Sequence, residues 1–167
     1  MDAHAAALHW IADLLERLRV PYQAVGGLAA RAYGASRPLV HLDFYIPTAR
    51  LPELLAAAES DPAARVVRAP APYRDAAWDL TFLALEYGGQ RVELGGADEA
   101  RYFDAVRGRW CPAAIDFAAS VPRAVLGRVV PVMPRAELIA YKRALDRGVD
   151  RRDLADLEAA VADRPAT

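Results

Sequence analysis

Apolar and polar positions along the chain change period several times, and each change predicts an element. Leu8, Ile11, Leu15 and Leu18 recur at helical spacing across residues 4 to 19, and Pro21 ends that helix. The stretch YQAV (22–25) reads as a short buried strand, broken by Gly26 and Gly27. LAARAYG (28–34) holds helix formers and closes on Gly34, a suitable C-terminal cap. After the turn ASRP, the segment LVHLDFYI (39–46) alternates strictly: Leu42, Phe44 and Ile46 face one way, His41, Asp43 and Tyr45 the other. LPELLAAAES (51–60) is a short helix with Pro52 in its first turn.

Strand patterns follow. ARVVRAP (64–70) and the stronger WDLTFLALEY (78–87) lead to Gly88-Gly89, a hairpin signal, and to the returning strand QRVELGG (90–96). Residues 98 to 134 hold short strand or turn pieces, RYFDAV, AAIDFA and RVVPVM, too rich in proline and glycine for long helices. Helical spacing returns in 135–148, with Leu138, Ile139 and Leu145 on one side and Gly148 as the stop. Asp150 is then expected to cap a final helix whose apolar face is Leu154, Leu157 and Val161. The charge run DRGVDRRD (146–153) reads as a solvated face. This order predicts an α+β fold: a mixed β-sheet packed against helices, with a C-terminal helical pair over 134–163, in one domain spanning 1–167.

Composition narrows the function classes. With 167 residues, 54% hydrophobic and 26% charged, the chain is long enough for a real core and ordinary in makeup. A formal net charge of −1 gives no electrostatic argument for nucleic-acid binding and leaves room only for a local basic patch. One cysteine, Cys111, allows no internal disulfide and no CxxC zinc motif, so a reducing, cytoplasmic setting is expected. The first residues carry acid and histidine where a targeting segment would carry lysine or arginine, and no apolar run reaches membrane-spanning length. His4 and His9, five apart on one helix, do not share a face and make a poor metal pair.

The informative stretch is GGLAARAYGASRPLVHLDFYIP, residues 26 to 47: a glycine pair, a short helix, an arginine-containing turn, then a strand with His41 and Asp43 on one face. That layout resembles the nucleotidyltransferase superfamily, which shares the DNA polymerase β-like fold, and is most similar to the minimal bacterial nucleotidyltransferase-like proteins. In the family pattern the glycine pair precedes an Asp-x-Asp strand; here His41-Leu42-Asp43 stands at a compatible distance. The segment ELIAYKRALDRGVDRRDLADL (137–157) is similar to the family's C-terminal helical pair, so the resemblance covers nearly the whole chain.

The resemblance implies a nucleoside triphosphate, a divalent metal (magnesium or manganese) and transfer of a nucleoside monophosphate to a hydroxyl acceptor that the sequence does not identify. Two carboxylates two residues apart on a strand reach one metal pair, and a neighbouring strand supplies a third. Asp43 then takes the second motif position, and Glu93, alternating with Val92 and Leu94, is the candidate third carboxylate, with Glu86 as the fallback. Asp43 and Glu93 are thus the catalytic candidates, and Asp43, Glu93 and His41 the metal candidates. Gly26, Gly27, Arg37 and Lys142 are candidates for the nucleotide, the glycines because backbone approaches the triphosphate there and the cations because each adjoins a motif the resemblance picks out.

The departure is His41, where the pattern wants aspartate. An imidazole removes one negative charge from a dication site and suits manganese or zinc better than magnesium. Weakened transfer is one consequence. The alternative is a catalytically degenerate binding or regulatory module, such as a toxin–antitoxin component with a protein partner. Plainer readings stand beside these. The glycine pair could be only a turn, His41 a histidine satisfied at a sheet surface, Tyr45 plain packing, and Trp78 and Trp110 core or core-rim residues.

Overall fold

The computed structural model describes residues 2–162. The first helix, α1 (Ala3–Arg17), buries Leu8, Ile11 and Leu15 completely, and its N-cap Asp2 accepts a hydrogen bond from the His4 backbone N–H. Strand β1 (Gln23–Val25) runs directly into helix α2 (Gly26–Ala32), so the glycine pair opens the helix rather than preceding it. Strand β2 (Leu42–Ile46) is followed by α3 (Leu51–Glu59), with Pro52 in its first turn.

A long hairpin, β3 (Ala64–Arg74) with β4 (Trp78–Tyr87), is continued through Gly88-Gly89 into β5 (Gln90–Gly96). Four short strands follow: β6 (Arg101–Asp104), β7 (Arg109–Pro112), β8 (Val121–Val125) and β9 (Arg128–Val132). Helices α4 (Arg135–Leu145) and α5 (Gly148–Ala162) end the described chain.

The nine strands of the described residues form one sheet, in the order β7-β6-β4-β5-β2-β1-β9-β8, with β3 also on β4. The pairs β2–β5 and β1–β9 are parallel and the others antiparallel. The sheet is therefore mixed, and the fold is the α+β class expected. Its core side is built from Leu42, Phe44 and Ile46 of β2, Leu83 and Leu85 of β4, and Val92 and Leu94 of β5. Against it pack Leu8, Ile11 and Leu15 of α1 and Leu51 and Leu54 of α3. Burying each such side chain contributes about 1.5–3 kcal/mol, which fixes the register of the alternating strands.

Several boundaries differ from those the sequence suggests. Strand β2 begins at Leu42, not Leu39, because β1 turns into α2 at Gly26 and pairing with β1 runs only from Gln23↔Tyr45 to Val25↔Asp43. Strand β3 runs on to Arg74 at the sheet's margin, with a register shift between Arg68 and Ala71 that takes in Pro70, while Pro72 pairs with Thr81. Of the pieces between 98 and 134, AAIDFA carries only a single 3-10 turn (Phe117–Ala119), while β7 and β8 form from residues that gave no strand signal.

The last helix does not start as expected. Asp146, at φ +50°, takes the left-handed capping position of α4, and Gly148 is the first residue of α5. Asp150 lies inside the first turn and accepts from the Arg147 backbone N–H at 3.2 Å, as the acid of a capping box does. Of the expected apolar stripe Leu157 is buried, while the Val161 side chain lies outside the described residues. No described helix is long and apolar enough to cross a membrane.

Candidate functional site

On the face of the sheet opposite the core, β2 and β5 set Asp43 directly beside Glu93. Parallel pairing aligns side chains of equal phase, so both carboxylates leave the sheet on the same side. His41, just before β2, completes a cluster: its Nε2 is 3.3 Å from Asp43 Oδ1 and 3.6 Å from Glu93 Oε2. One ligand atom from each of the three lies within 4.8 Å of the others. Glu86, the alternative third carboxylate, is bonded to Arg65 at 2.8 Å and does not join them.

The electrostatics of the cluster are mutual. The Asp43 carboxylate raises the His41 imidazole above its ordinary value, burial opposes it, and the Glu93 charge adds to the rise. Burial raises the Glu93 carboxyl, and the charge on His41 pulls it back. Arg91 holds Glu93 Oε1 at 3.1 Å. Two carboxylates and one imidazole converging this closely are a donor set that fits a divalent cation, with oxygen for a hard ion and a nitrogen that shifts preference toward manganese or zinc.

The glycine pair is fitted to this cluster. Gly26 has φ +59°, and a Cβ there would lie 2.6 Å from Asp43 Oδ2. A Cβ on Gly27 would lie 2.8 Å from Arg37 Nη2. Each glycine therefore leaves the space that one polar group of the site occupies.

Arg37 and Lys142 come together through a residue the sequence had placed on a solvated face. Asp153 is buried and accepts from Arg37 Nε and Nη2, both at 2.9 Å, and from Lys142 Nζ, also at 2.9 Å. Lys142 reaches the buried Asp150 as well, at 3.3 Å, and Asp150 binds Arg147 Nε at 2.7 Å. The run 146–153 is thus not a solvated face throughout: Asp150 and Asp153, one helical turn apart, point inward to meet three cations. Burial alone would raise the Asp153 carboxyl, but the bonds from Arg37 and Lys142 outweigh it and hold it below the usual range. The i, i+3 spacing of the two acids, in phase with Leu154 and Leu157, was the available signal.

The cluster, the glycine pair, Arg37, Lys142 and Arg147 border one cavity of about 820 Å³, which Asp150 and Asp153 do not line. Gly26, Gly27, Arg37, His41, Asp43, Glu93 and Lys142 line it, so the structure brings every sequence-chosen site residue to one place. Tyr45 is buried in its floor, and Trp78, packed at the rim of the core as expected, also lines it; Trp110 does not border it. Not anticipated from sequence is the rest of the lining, which includes Arg68, Tyr73, Phe82, Tyr102 and Tyr141.

No protein-family model matches the chain, and no curated protein matches it in sequence. Solved structures do match in shape. TM1012 of Thermotoga maritima, a proposed nucleotidyltransferase, superposes with TM-score 0.62 at 18% identity, over 98% of this chain and 97% of that one. The lincosamide antibiotic adenylyltransferase LnuA, lincomycin-bound, gives 0.60 at 13% identity, over 92% and 95%. ANT(2″)-Ia in complex with adenylyl-2″-tobramycin gives 0.62 at 18%, over 96% and 94%. The chain has the nucleotidyltransferase fold, matched over almost its full length.

Proposed function

We propose that this protein binds a nucleoside triphosphate with a divalent cation in the cavity and transfers the nucleoside monophosphate to a hydroxyl acceptor. The observation that carries this reading is the convergence of His41, Asp43 and Glu93 beside the Gly26-Gly27 turn. His41, Asp43 and Glu93 would hold the cation, which when bound would neutralise phosphate charge and polarise the reacting oxygens.

The chain's own residues supply the rest. Gly26 and Gly27 expose backbone to the cavity, where a triphosphate can approach without a side chain between. Arg37 and Lys142 are each partly committed to acids, and each keeps a proton free to point at phosphate oxygen. Two aspartates against Lys142, Arg37 and Arg147 leave that wall one positive charge in excess. The Glu93 oxygen not offered to the cation accepts the acceptor's hydroxyl proton. The hydroxyl oxygen bonds to the α-phosphorus, the bond to the bridging oxygen breaks, and pyrophosphate leaves.

His41 makes this a poor magnesium site, so transfer is slow with magnesium and faster with manganese. The same residue favours a second reading. With His41 between Asp43 and Glu93 at 3.3 and 3.6 Å, each carboxylate already has a partner within the chain, as suits a binding or regulatory module such as a toxin–antitoxin component.

Calorimetric titration with a non-hydrolysable ATP analogue, first with magnesium and then with manganese, separates the two. Metal-dependent binding that Asp43→Ala abolishes supports the transferase reading. Flat titrations with both metals reject it and direct the search to a protein partner.

A further inference from the structure

Beyond the carboxylates the cavity changes character. One same-face step along the sheet, about 7 Å, the row Asp43–Glu93–Ala84 gives way to Tyr45–Gly95–Phe82. Gly95 leaves a dip in this floor that Leu80 and Tyr45 fill, since a Cβ there would lie 2.7 Å from Leu80 Cδ1 and 2.9 Å from Tyr45 Cε1. Trp78, Tyr102 and Tyr141 form a three-ring cluster at the end, with centroids 6.1–6.4 Å apart. Tyr73 and Phe82 make a second pair at 5.3 Å.

Over that pair lies Arg68, its guanidinium carbon 5.2 Å from the Tyr73 ring centre and 5.9 Å from that of Phe82. Its Nε is buried without a hydrogen-bond partner, and one Nη donates only to the Pro72 carbonyl at 3.2 Å. The cavity's other cations, Arg37, Arg91, Lys142 and Arg147, each have a carboxylate partner; among the described residues Arg68 has none. Acid is scarce at this end. Asp75 is taken up by the Tyr73 hydroxyl and by the backbone N–H groups of Ala77 and Trp78, all at 2.8 Å.

From this arrangement we infer that the acceptor is a flat, aromatic hydroxyl compound carrying an anionic group, and not a polyamine. Its ring stacks on the Tyr73, Phe82 and Trp78 wall, its anion meets Arg68, and its hydroxyl points back toward Glu93. Aromatic faces suit a planar ring. An unpaired guanidinium with a partly buried edge favours a carboxylate or similar oxyanion. A polycation would meet an unneutralised arginine, with only Asp75, held by neutral donors, and Glu137 of α4 as acids of the lining outside the metal cluster. The choice of a hydroxyl rests on the transfer reading, whereas binding at the aromatic wall does not.

The test uses three compounds with one phenol ring and different arms: phloretate (carboxylate), tyrosol (hydroxyl) and tyramine (ammonium), with tobramycin as a polycation. Trp78 is the one cavity-lining tryptophan, so its fluorescence reports binding, with no nucleotide or metal present. Phloretate is expected to bind about tenfold more tightly than tyramine, with tyrosol between them and tobramycin weakest. In Arg68→Met the preference collapses to about onefold, and in Arg68→Lys part of it returns. Equal binding of the three phenols, tighter binding of tyramine or tobramycin, or no binding by phloretate overturns the proposal. Because nucleotide and metal are absent, such a failure leaves the nucleotide titration standing, and a flat nucleotide titration leaves this preference measurable.

Discussion

Asp43 Oδ2 occupies the place a side chain on Gly26 would take: a Cβ there would be 2.6 Å from it. The turn and the carboxylate are a fitted pair, so neither can change alone without cost. Gly26→Ala also forces alanine to φ +59°. Together, strain and clash are expected to cost about 2–3 kcal/mol in urea unfolding. Adding Asp43→Ala removes the clash but not the strained φ, so the double variant should recover about 1 kcal/mol relative to additivity. Strict additivity would show that the close approach is not felt.

The cluster of His41, Asp43 and Glu93 predicts opposite effects of His41→Asp on the free and the metal-bound protein. Without metal, a third carboxylate replaces a group lying 3.3 and 3.6 Å from the other two, and the melting temperature falls. With magnesium and nucleotide analogue, the added charge strengthens metal binding by about tenfold or more. Melting curves and calorimetry with and without magnesium read both signs. Magnesium binding no better than in the parent chain would count against a metal site at this cluster.

Lys142 is 1% exposed, between two aspartates that are no more open. Lys142→Met leaves those acids with Arg37 and Arg147 alone, and is expected to cost about 3 kcal/mol, or about 10 °C in melting temperature. Replacing Lys142, Asp150 and Asp153 together by apolar residues should not recover that loss, since Arg37 and Arg147 then lose their carboxylate partners. If the single change cost nothing, the network would not be holding the two C-terminal helices to the site.

Asp153 gives the network a pH signature. Its carboxyl is held below the ordinary range by Arg37 and Lys142 against the opposing effect of burial, so its stabilising contribution is complete at neutral pH. As pH falls below about 4, the unfolded chain takes up this proton first, and stability drops until the folded carboxyl titrates too. Urea midpoints at neutral pH and down to about pH 3 should show that loss, and Asp153→Asn should remove this part of the slope. An unchanged slope in the variant would assign the acid sensitivity to other groups.

Local pattern carried much of this into the sequence. The glycine pair, the alternation through His41, Asp43 and Tyr45, and the phase of Glu93 between Val92 and Leu94 are short-range features, and each survives folding. What the sequence does not display are relations between distant segments. Nothing near Arg37 announces Asp153, and a string of alternating charges looks solvated until α5 is docked. The aromatic wall was hidden in the same way: Tyr73 lies beyond the strand expected over 64–70 and Phe82 within the one over 78–87, and only antiparallel pairing of β3 with β4 brings them under Arg68. Boundaries moved where pairing partners ran out, as at Leu42, which no single-strand pattern records.

Sheet order has a consequence for how the site comes into being. Strand β5 inserts between β2 and β4, and the residue that joins Arg37 to Lys142 lies in the last described helix. During synthesis Asp43 emerges long before Glu93, and Asp153 later still. A nascent chain short of β5 has no carboxylate pair. One that stops before α5 has the pair but leaves Lys142 without Asp150 or Asp153. Metal-ligand cluster and cationic wall are thus finished in that order, the second only once α5 has emerged.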